Sequence, residues 1–184
     1  MKEFVIEHYK QNGLPLDELI IFGVRNPENF ELDRFNDFLG FIFENKIHVS
    51  TGTTDPGVYY TKNPMNSGGA FHMDLGFHSK IWRLRKHRNK YLALCNDHNC
   101  NKVRGYRDSD LNKIIHGWVF TNLHTTSQDE FINLSSAGCQ VTPEEEWFEK
   151  LIRSAKVCDQ DRFSYNLFHI KDIPTNLIVN GLIK

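Results

Sequence analysis

The strongest constraint on this chain is how often its middle is interrupted. Between Lys46 and His124, turn-forming clusters recur at short intervals: Thr53-Thr54-Asp55-Pro56-Gly57, Asn63 to Gly69, and Asn96-Asp97-His98-Asn99. Clusters of Gly, Pro, Asn and Asp set turns through special φ values and local side-chain hydrogen bonds. The runs between them suit strands. Lys46 to Thr51 alternates, and Ile81-Trp82-Arg83-Leu84-Arg85 alternates apolar and basic residues like a strand wet on one face. Val58 to Tyr60, Ala70 to Met73 and Trp118 to His124 read as further strands. Tyr91 to Cys95 and Asn101 to Tyr106, flanking the Asn96–Asn99 turn, read as a hairpin. The fold class that follows is mainly β with a few helices, α+β.

Helices are expected outside this region. Residues 3–12 read as a short helix closed by Gly13. Leu19 to Val24 is a compact apolar run, a short strand or a buried helix end. Phe35, Phe38, Leu39, Ile42 and Phe43 fall on one face at helical spacing, so 31–43 reads as a helix. Pro143 to Val157 is the clearest helix: Thr142 and Glu145 form a capping-box pattern, and Pro143 takes the first helical position. Phe163 to Ile170 and Leu177 to Ile183 read as final strands. No repeat or linker divides residues 1–184, which are taken as one domain with an aromatic core supplied by 14 phenylalanines.

The formal net charge of −1 lacks the footprint of a general nucleic-acid binder. The run containing Lys80, Arg83, Arg85, Lys86, His87, Arg88 and Lys90 reads as a solvated strand face. No stretch reaches the roughly 18 apolar residues of a membrane span. The N-terminal MKEFVIEHYKQNG has no apolar core of signal-peptide length, so synthesis in the cytoplasm without a signal peptide is expected. Four cysteines are too few for a disulfide scaffold.

The chemistry concentrates in HTTSQDEFINLSSAGC, His124 to Cys139. A histidine ends a strand-like run, and the loop after it closes on a small-residue turn carrying a cysteine just before a helix. A helix N-terminus favours the thiolate. A histidine folded back against the thiol would serve as its base, and N–H groups of the turn would hold an oxyanion. The competing reading of Cys139 is a small buried hydrophobe, the common fate of free cysteine.

These residues resemble the catalytic domain of the L,D-transpeptidases, the YkuD-type fold, in which a strand histidine and a loop precede a Ser/Thr-His-Gly-Cys segment. The matching pieces are His124 and Ser136-Ala137-Gly138-Cys139. With TTDPGVYYTKNP, YRDSD, GWVFTNLH and SAGCQ the chain looks like a phage-associated branch, over about residues 20–155. The resemblance implies a β-sandwich with an N-terminal helical segment and a helix after the cysteine. It implies Cys139 as nucleophile, His124 as base and the Thr125 carbonyl as its orienting partner. Ser136 opens the motif, the N–H groups around Gly138 and Cys139 would form the oxyanion hole, and Ala137, Gly138 and Gln140 would belong to the oxyanion and substrate-binding region. Ala137 replaces the family's second histidine, Gln140 and Val141 replace an apolar residue and an asparagine, and the loop is short.

The implied activity is thioester formation on peptidoglycan stem peptides, needing no metal or organic cofactor. Hydrolysis, as in an endopeptidase or carboxypeptidase, is slightly favoured over cross-linking. Access to the cell wall would come through phage lysis or a secretion system. Two alternatives stand: a catalytically silent peptidoglycan- or partner-binding module on the same fold, and an NlpC-like hydrolase pairing Cys139 with His169. Weaker groupings are Cys95, His98 and Cys100 as zinc ligands, His72, Asp74 and His78 as a metal-peptidase cluster, and Asp108, Asp110 and Asn112 as a calcium loop. None matches a ligand spacing. Tyr59, Tyr60, Trp82 and Trp118 are candidate groove-lining aromatics or core.

Overall fold

A computed structural model describes residues 1–27, 33–128 and 130–177. It is mainly β, 41% strand against 20% helix, which makes the fold α+β. An eight-stranded sheet forms the body. In spatial order it runs β10 (Gln140–Thr142), β9 (Asn122–Thr125), β6 (Tyr91–Cys95), β5 (Gly76–His87), β11 (Phe163–His169), β1 (Ile20–Arg25), β2 (Asp37–Phe43) and β3 (Lys46–Gly52). The long β5 serves two neighbours, pairing β11 with its first part and β6 with its second. The outermost strands then meet. Thr53, just past β3, exchanges backbone hydrogen bonds of 2.8 and 3.0 Å with Val141 on β10, so the sheet closes on itself. A second sheet, β4 (Phe71–Met73), β7 (Val103–Arg107) and β8 (Asp110–Gly117), stands beside it.

The two faces of the body carry separate cores. Ile21, Leu39, Phe41, Trp82, Leu94 and Leu123 join the helix α3 (Glu145–Val157) through Trp147, Phe148 and Leu151. On the other face Ile20, Phe22, Val24 and Phe38 meet Val5 and Tyr9 of α1 (Lys2–Gln11).

This double burial explains one correction. Residues 37–43 are a strand, not the expected helix, and Phe38 and Ile42 serve one core while Leu39 and Phe41 serve the other. A strand buried on both faces loses its period of two, and its apolar run imitates a helix. Gly40 agrees with the strand, since a Cβ there would run into the Phe22 ring. Residues 31–32 of that expected helix lie outside the described residues.

Other expectations change for tertiary reasons. Val58-Tyr59-Tyr60 opens the short helix α2 (Val58–Lys62) rather than a strand, and the Val58 N–H donates to Asp33 Oδ1 at 2.9 Å. The segments 91–95 and 101–106 form no hairpin. β6 pairs with β5 and β9, whereas β7 pairs with β4 and β8. Asn96 redirects the chain between them, donating to the Ile81 and Asn101 carbonyls. Only Asn122 to His124 of the Trp118–His124 run is strand, which continues to Thr125. β8 went unread because its largely exposed residues show no apolar period. The expected capping box does not form, because α3 starts at Glu145 and neither Thr142 nor Glu144 caps it with a side chain. Both serve the seam instead: Thr142 Oγ1 lies 2.6 Å from Ser50 Oγ, and Glu144 Oε1 accepts from Thr51 N–H at 2.8 Å. Of the expected strand 177–183, residues 178–183 lie outside the described residues, and Leu177 is helical rather than extended, its N–H bonding the Pro174 carbonyl.

A polar chain ties the second sheet to the body. Arg25 on β1 is buried and donates to Thr54 Oγ1, the Thr54 carbonyl and the Met73 carbonyl, and its Nε lies 3.0 Å from Asp55 Oδ2. Asp37 accepts from the Asn26 and Thr54 N–H groups and from Thr54 Oγ1, each at 2.7 Å. His72 on β4 bridges Asp55 (3.0 Å) and Asp108 (2.8 Å) through its two ring nitrogens, and its ring stacks on Tyr106. Burial alone would lower the His72 pKa, but its bonds and charges with Asp55 and Asp108 outweigh that and raise it.

Candidate active site

Register on adjacent parallel strands assembles the site. Val141 on β10 pairs with His124 on β9, and Gln140 pairs with Leu123. Period-two alternation sends Leu123 and Gln140 to one face, and Asn122 and His124 to the other. Cys139, immediately before β10, comes level with Asn122, whose N–H donates to Sγ at 3.4 Å. Cys139 and His124 therefore line one cavity of about 560 Å³, between the body and the second sheet.

The imidazole of His124 is held at one nitrogen. Its Nδ1 lies 2.8 Å from the Thr125 carbonyl, which also accepts from Tyr91 Oη at 2.9 Å. A nitrogen facing a carbonyl carries the proton, so Nε2 keeps the lone pair. His87, at the end of β5, stacks on this ring with centroids 4.4 Å apart. The Asn122 side chain joins the two strands, its amide nitrogen 3.1 Å from His87 Nδ1 and its oxygen accepting from the Asn96 N–H. Burial, aided by the charges of His87 and Arg88, lowers the His124 pKa to about 4 despite the Thr125 hydrogen bond. His124 is neutral near pH 7.

The thiol is not pre-ionised. Desolvation by the surrounding atoms pushes the Cys139 thiol above its ordinary value, although the residue keeps partial exposure, against the opposing effects of the Asn122 N–H and Arg88. The expected help from a helix N-terminus is missing, because β10 and Pro143-Glu144 separate the cysteine from α3. No hydrogen bond joins Sγ to the imidazole among the described residues. The arrangement can perform general-base catalysis, in which the proton leaves sulfur as sulfur attacks.

Ser136 shapes the turn before the cysteine. It is fully buried; its Oγ accepts the Gly138 N–H at 3.1 Å and lies 2.8 Å from the Cys139 carbonyl, while its own carbonyl accepts from the Gly57 N–H. Gly138 has φ +118°, and a Cβ there would strike the Phe71 carbonyl, so only glycine fits. One of the N–H groups expected around Gly138 and Cys139 is already engaged. The Gly138 N–H is engaged by Ser136, and the N–H groups of Ala137 and Cys139 are the ones without a partner among the described residues. Gln140 is also misplaced by the sequence reading. It is buried on the opposite face, accepting from Tyr165 Oη at 3.0 Å, and does not line the cavity.

The remaining candidates separate. His169 does not line the cavity; it caps a 3₁₀ turn over Ile170–Asp172, its Nδ1 accepting from the Lys171 N–H, so the pairing with Cys139 required for an NlpC-like site does not form. His78 bonds the Asp74 carbonyl, and Asp74 pairs with Arg104. Cys95 and Cys100 are buried, and His98 packs on Trp118 and Phe120. Asp108 holds His72, and Asp110 accepts from the Asn112 N–H. Among the described residues no three His, Cys, Asp or Glu converge on a possible metal position. Trp82 is core, whereas Tyr60 and Trp118 line the cavity. Part of the basic run lines it too: Arg85, Lys86 and Arg88. Sequence reading passed over His87, Tyr91 and Asn122. The alternation of Asn122 with His124 on one strand was the available signal.

No protein-family model, curated protein or solved structure matches the chain. Among the described residues no helix is long and apolar enough to cross a membrane.

Cys139 is partly exposed while Cys95, Cys100 and Cys158 are buried. Iodoacetamide should therefore label Cys139 first. With its thiol raised, labelling should be slow at mildly acidic pH and accelerate only above about pH 8.5, the ordinary thiol value. Peptide mapping across pH checks both points. Fast labelling at pH 6 would mean that a thiolate is already present.

Proposed function

We propose that this chain is a cysteine-dependent acyl-transfer enzyme acting on peptidoglycan stem peptides, in the manner of the L,D-transpeptidases that its His124–Cys139 segment resembles. One observation carries the reading. An imidazole fixed by the Thr125 carbonyl shares a cavity with a partly exposed thiol whose sulfur accepts a backbone N–H. Sulfur attacks the substrate carbonyl carbon as the thiol proton passes to His124 Nε2. The carbonyl oxygen becomes an oxyanion facing the Ala137 and Cys139 N–H groups. Collapse breaks the C–N bond, the imidazolium returns the proton to the leaving amine, and a thioester remains. Water or an amine then attacks it, with His124 again taking the proton.

Hydrolysis is the favoured outcome. Thr125–Gln128 and Asn133–Ser135 border a second cavity of about 740 Å³ that also reaches His124. Thr126, Ser127 and Gln128 line it and favour water there. Delivery to the cell wall by phage lysis or a secretion system fits this activity. A silent binding module on the same fold is the second reading, favoured by the raised thiol and the engaged Gly138 N–H.

The test is incubation with tetrapeptide and cross-linked muropeptides plus excess D-amino acid, read by mass spectrometry. Shortened peptides and an acyl adduct on Cys139 are expected. Predominant exchange products would make the protein a transpeptidase. Neither product nor adduct would leave the binding module.

A further inference from the structure

Among the described residues the cavity holding Cys139 is lined by Arg85, Lys86, Arg88 and Arg107 and by no carboxylate, in a chain whose net charge is −1; the second cavity carries Glu145 beside Arg88. The basic lining is thus a local feature. Two of the four cations are already satisfied. Arg85 pairs with Asp97, and Arg107 donates to the Gly69 carbonyl at 2.8 Å while lying over the Phe71 ring. Lys86 and Arg88 have no ion-pair partner among the described residues. Their backbone is fixed nonetheless. Both belong to the β5–β6 hairpin, whose turn places Arg88 and Asn89 at φ 48° and 59° and is closed by the Lys90 N–H on the His87 carbonyl. Paired positive φ values at the centre of a two-residue turn define a tight hairpin that matches strand twist. Arg88 borders both cavities, next to the stacked His87 and His124 rings.

Cations without an ion-pair partner at the end of β5 and on the turn after it, beside the Cys139 thiol, call for an anion in the substrate. We propose that Lys86 and Arg88 bind a carboxylate of the peptide substrate and thereby register its scissile carbonyl against Cys139. A guanidinium presents a planar fork matched to a carboxylate, and the lysine adds a second, mobile donor. Arg88 is the principal contact because it stands between the two cavities. This inference rests on the peptide-substrate reading above. It adds that the substrate is selected by charge as well as by peptide chemistry.

The experiment measures binding separately from turnover. A stem tetrapeptide with free carboxylates, its C-terminal amide and its side-chain amide are titrated against full-length Cys139→Ala by calorimetry. The free peptide should bind about tenfold tighter than one of the two amides, the scale of one charge-assisted contact. The amide that loses affinity identifies the carboxylate. The preference should vanish in Cys139→Ala carrying Arg88→Gln or Lys86→Gln, persist with Arg88→Lys, and shrink with added salt. Arg88 and Lys86 are exposed, so unchanged thermal unfolding of the variants serves as the folding control. Equal binding of all three peptides, or a preference indifferent to both glutamine variants, overturns the proposal. Mass spectrometry of the wild-type protein with the same peptides separates the two readings. An acyl adduct with equal binding sinks the carboxylate site alone, whereas charge-selective binding without an adduct keeps that site and sinks the acyl-transfer reading.

Discussion

Cys139→Ala and His124→Ala are each expected to reduce kcat on muropeptides by about 10⁴-fold or more, and the double variant to be little worse than either. The reason lies in the neutral state of both groups. With the thiol raised and His124 lowered to about 4, a thiolate–imidazolium pair is not the resting form. Under the acyl-transfer reading, bond formation and proton transfer would belong to one step, and removing either partner would remove that step. Steady-state kinetics of the four proteins form the check. Additive losses would mean that the two side chains act independently, and substantial turnover by His124→Ala would move the base elsewhere. Tyr91→Phe gives a graded control. It removes one hydrogen bond to the Thr125 carbonyl and leaves the Nδ1 contact in place.

Arg25→Ala is expected to cost about 3–5 kcal/mol of stability, the scale for stripping one partner from a buried ionic network. Arg25 alone neutralises the Asp55 side that faces β1, and it donates to three further oxygens of Thr54 and Met73. Without it Asp55 stands close to Asp37, whose pKa burial and the Asp55 charge already raise. Native domains have only about 5–15 kcal/mol in total. Urea denaturation should show the midpoint falling by a large fraction of its wild-type value. Arg25→Lys should recover part of the loss, since it restores charge but not the fork. A stability loss under about 0.5 kcal/mol, the range of ordinary surface substitutions, would show that the network does not carry this weight.

Local signals reached some of this fold and missed what pairing distant strands creates. The helix at 145–157 was legible because one face of it is apolar and the other wet. The strands at 46–52 and 81–85 were legible through alternation or their turn boundaries. The strand at 37–43 was not, because two cores claim opposite faces of it. The helix at 58–62 was not, because its first N–H is held by Asp33, far away in sequence. In the site, His124, Thr125, Ser136 and Cys139 were readable as a segment. His87 and Tyr91 belong to a hairpin more than thirty residues upstream and enter only through β6–β9 pairing. Gln140 shows the opposite failure. It adjoins the cysteine in sequence, yet strand alternation turns it into the core.

The seam between Thr53 and Val141 bears on when the chain becomes reactive. It joins segments far apart in sequence, and such pairings form late because loop closure must precede any contact that rewards it. The strand that completes the ring directly follows Cys139 and also brings the sulfur level with Asn122 and into the cavity with His124. Before that strand docks, the sulfur has neither its backbone N–H donor nor a base in its cavity. The closure acts as a latch: until β10 docks the chain carries an ordinary thiol, and under the acyl-transfer reading proposed above its competence as a nucleophile would follow that docking.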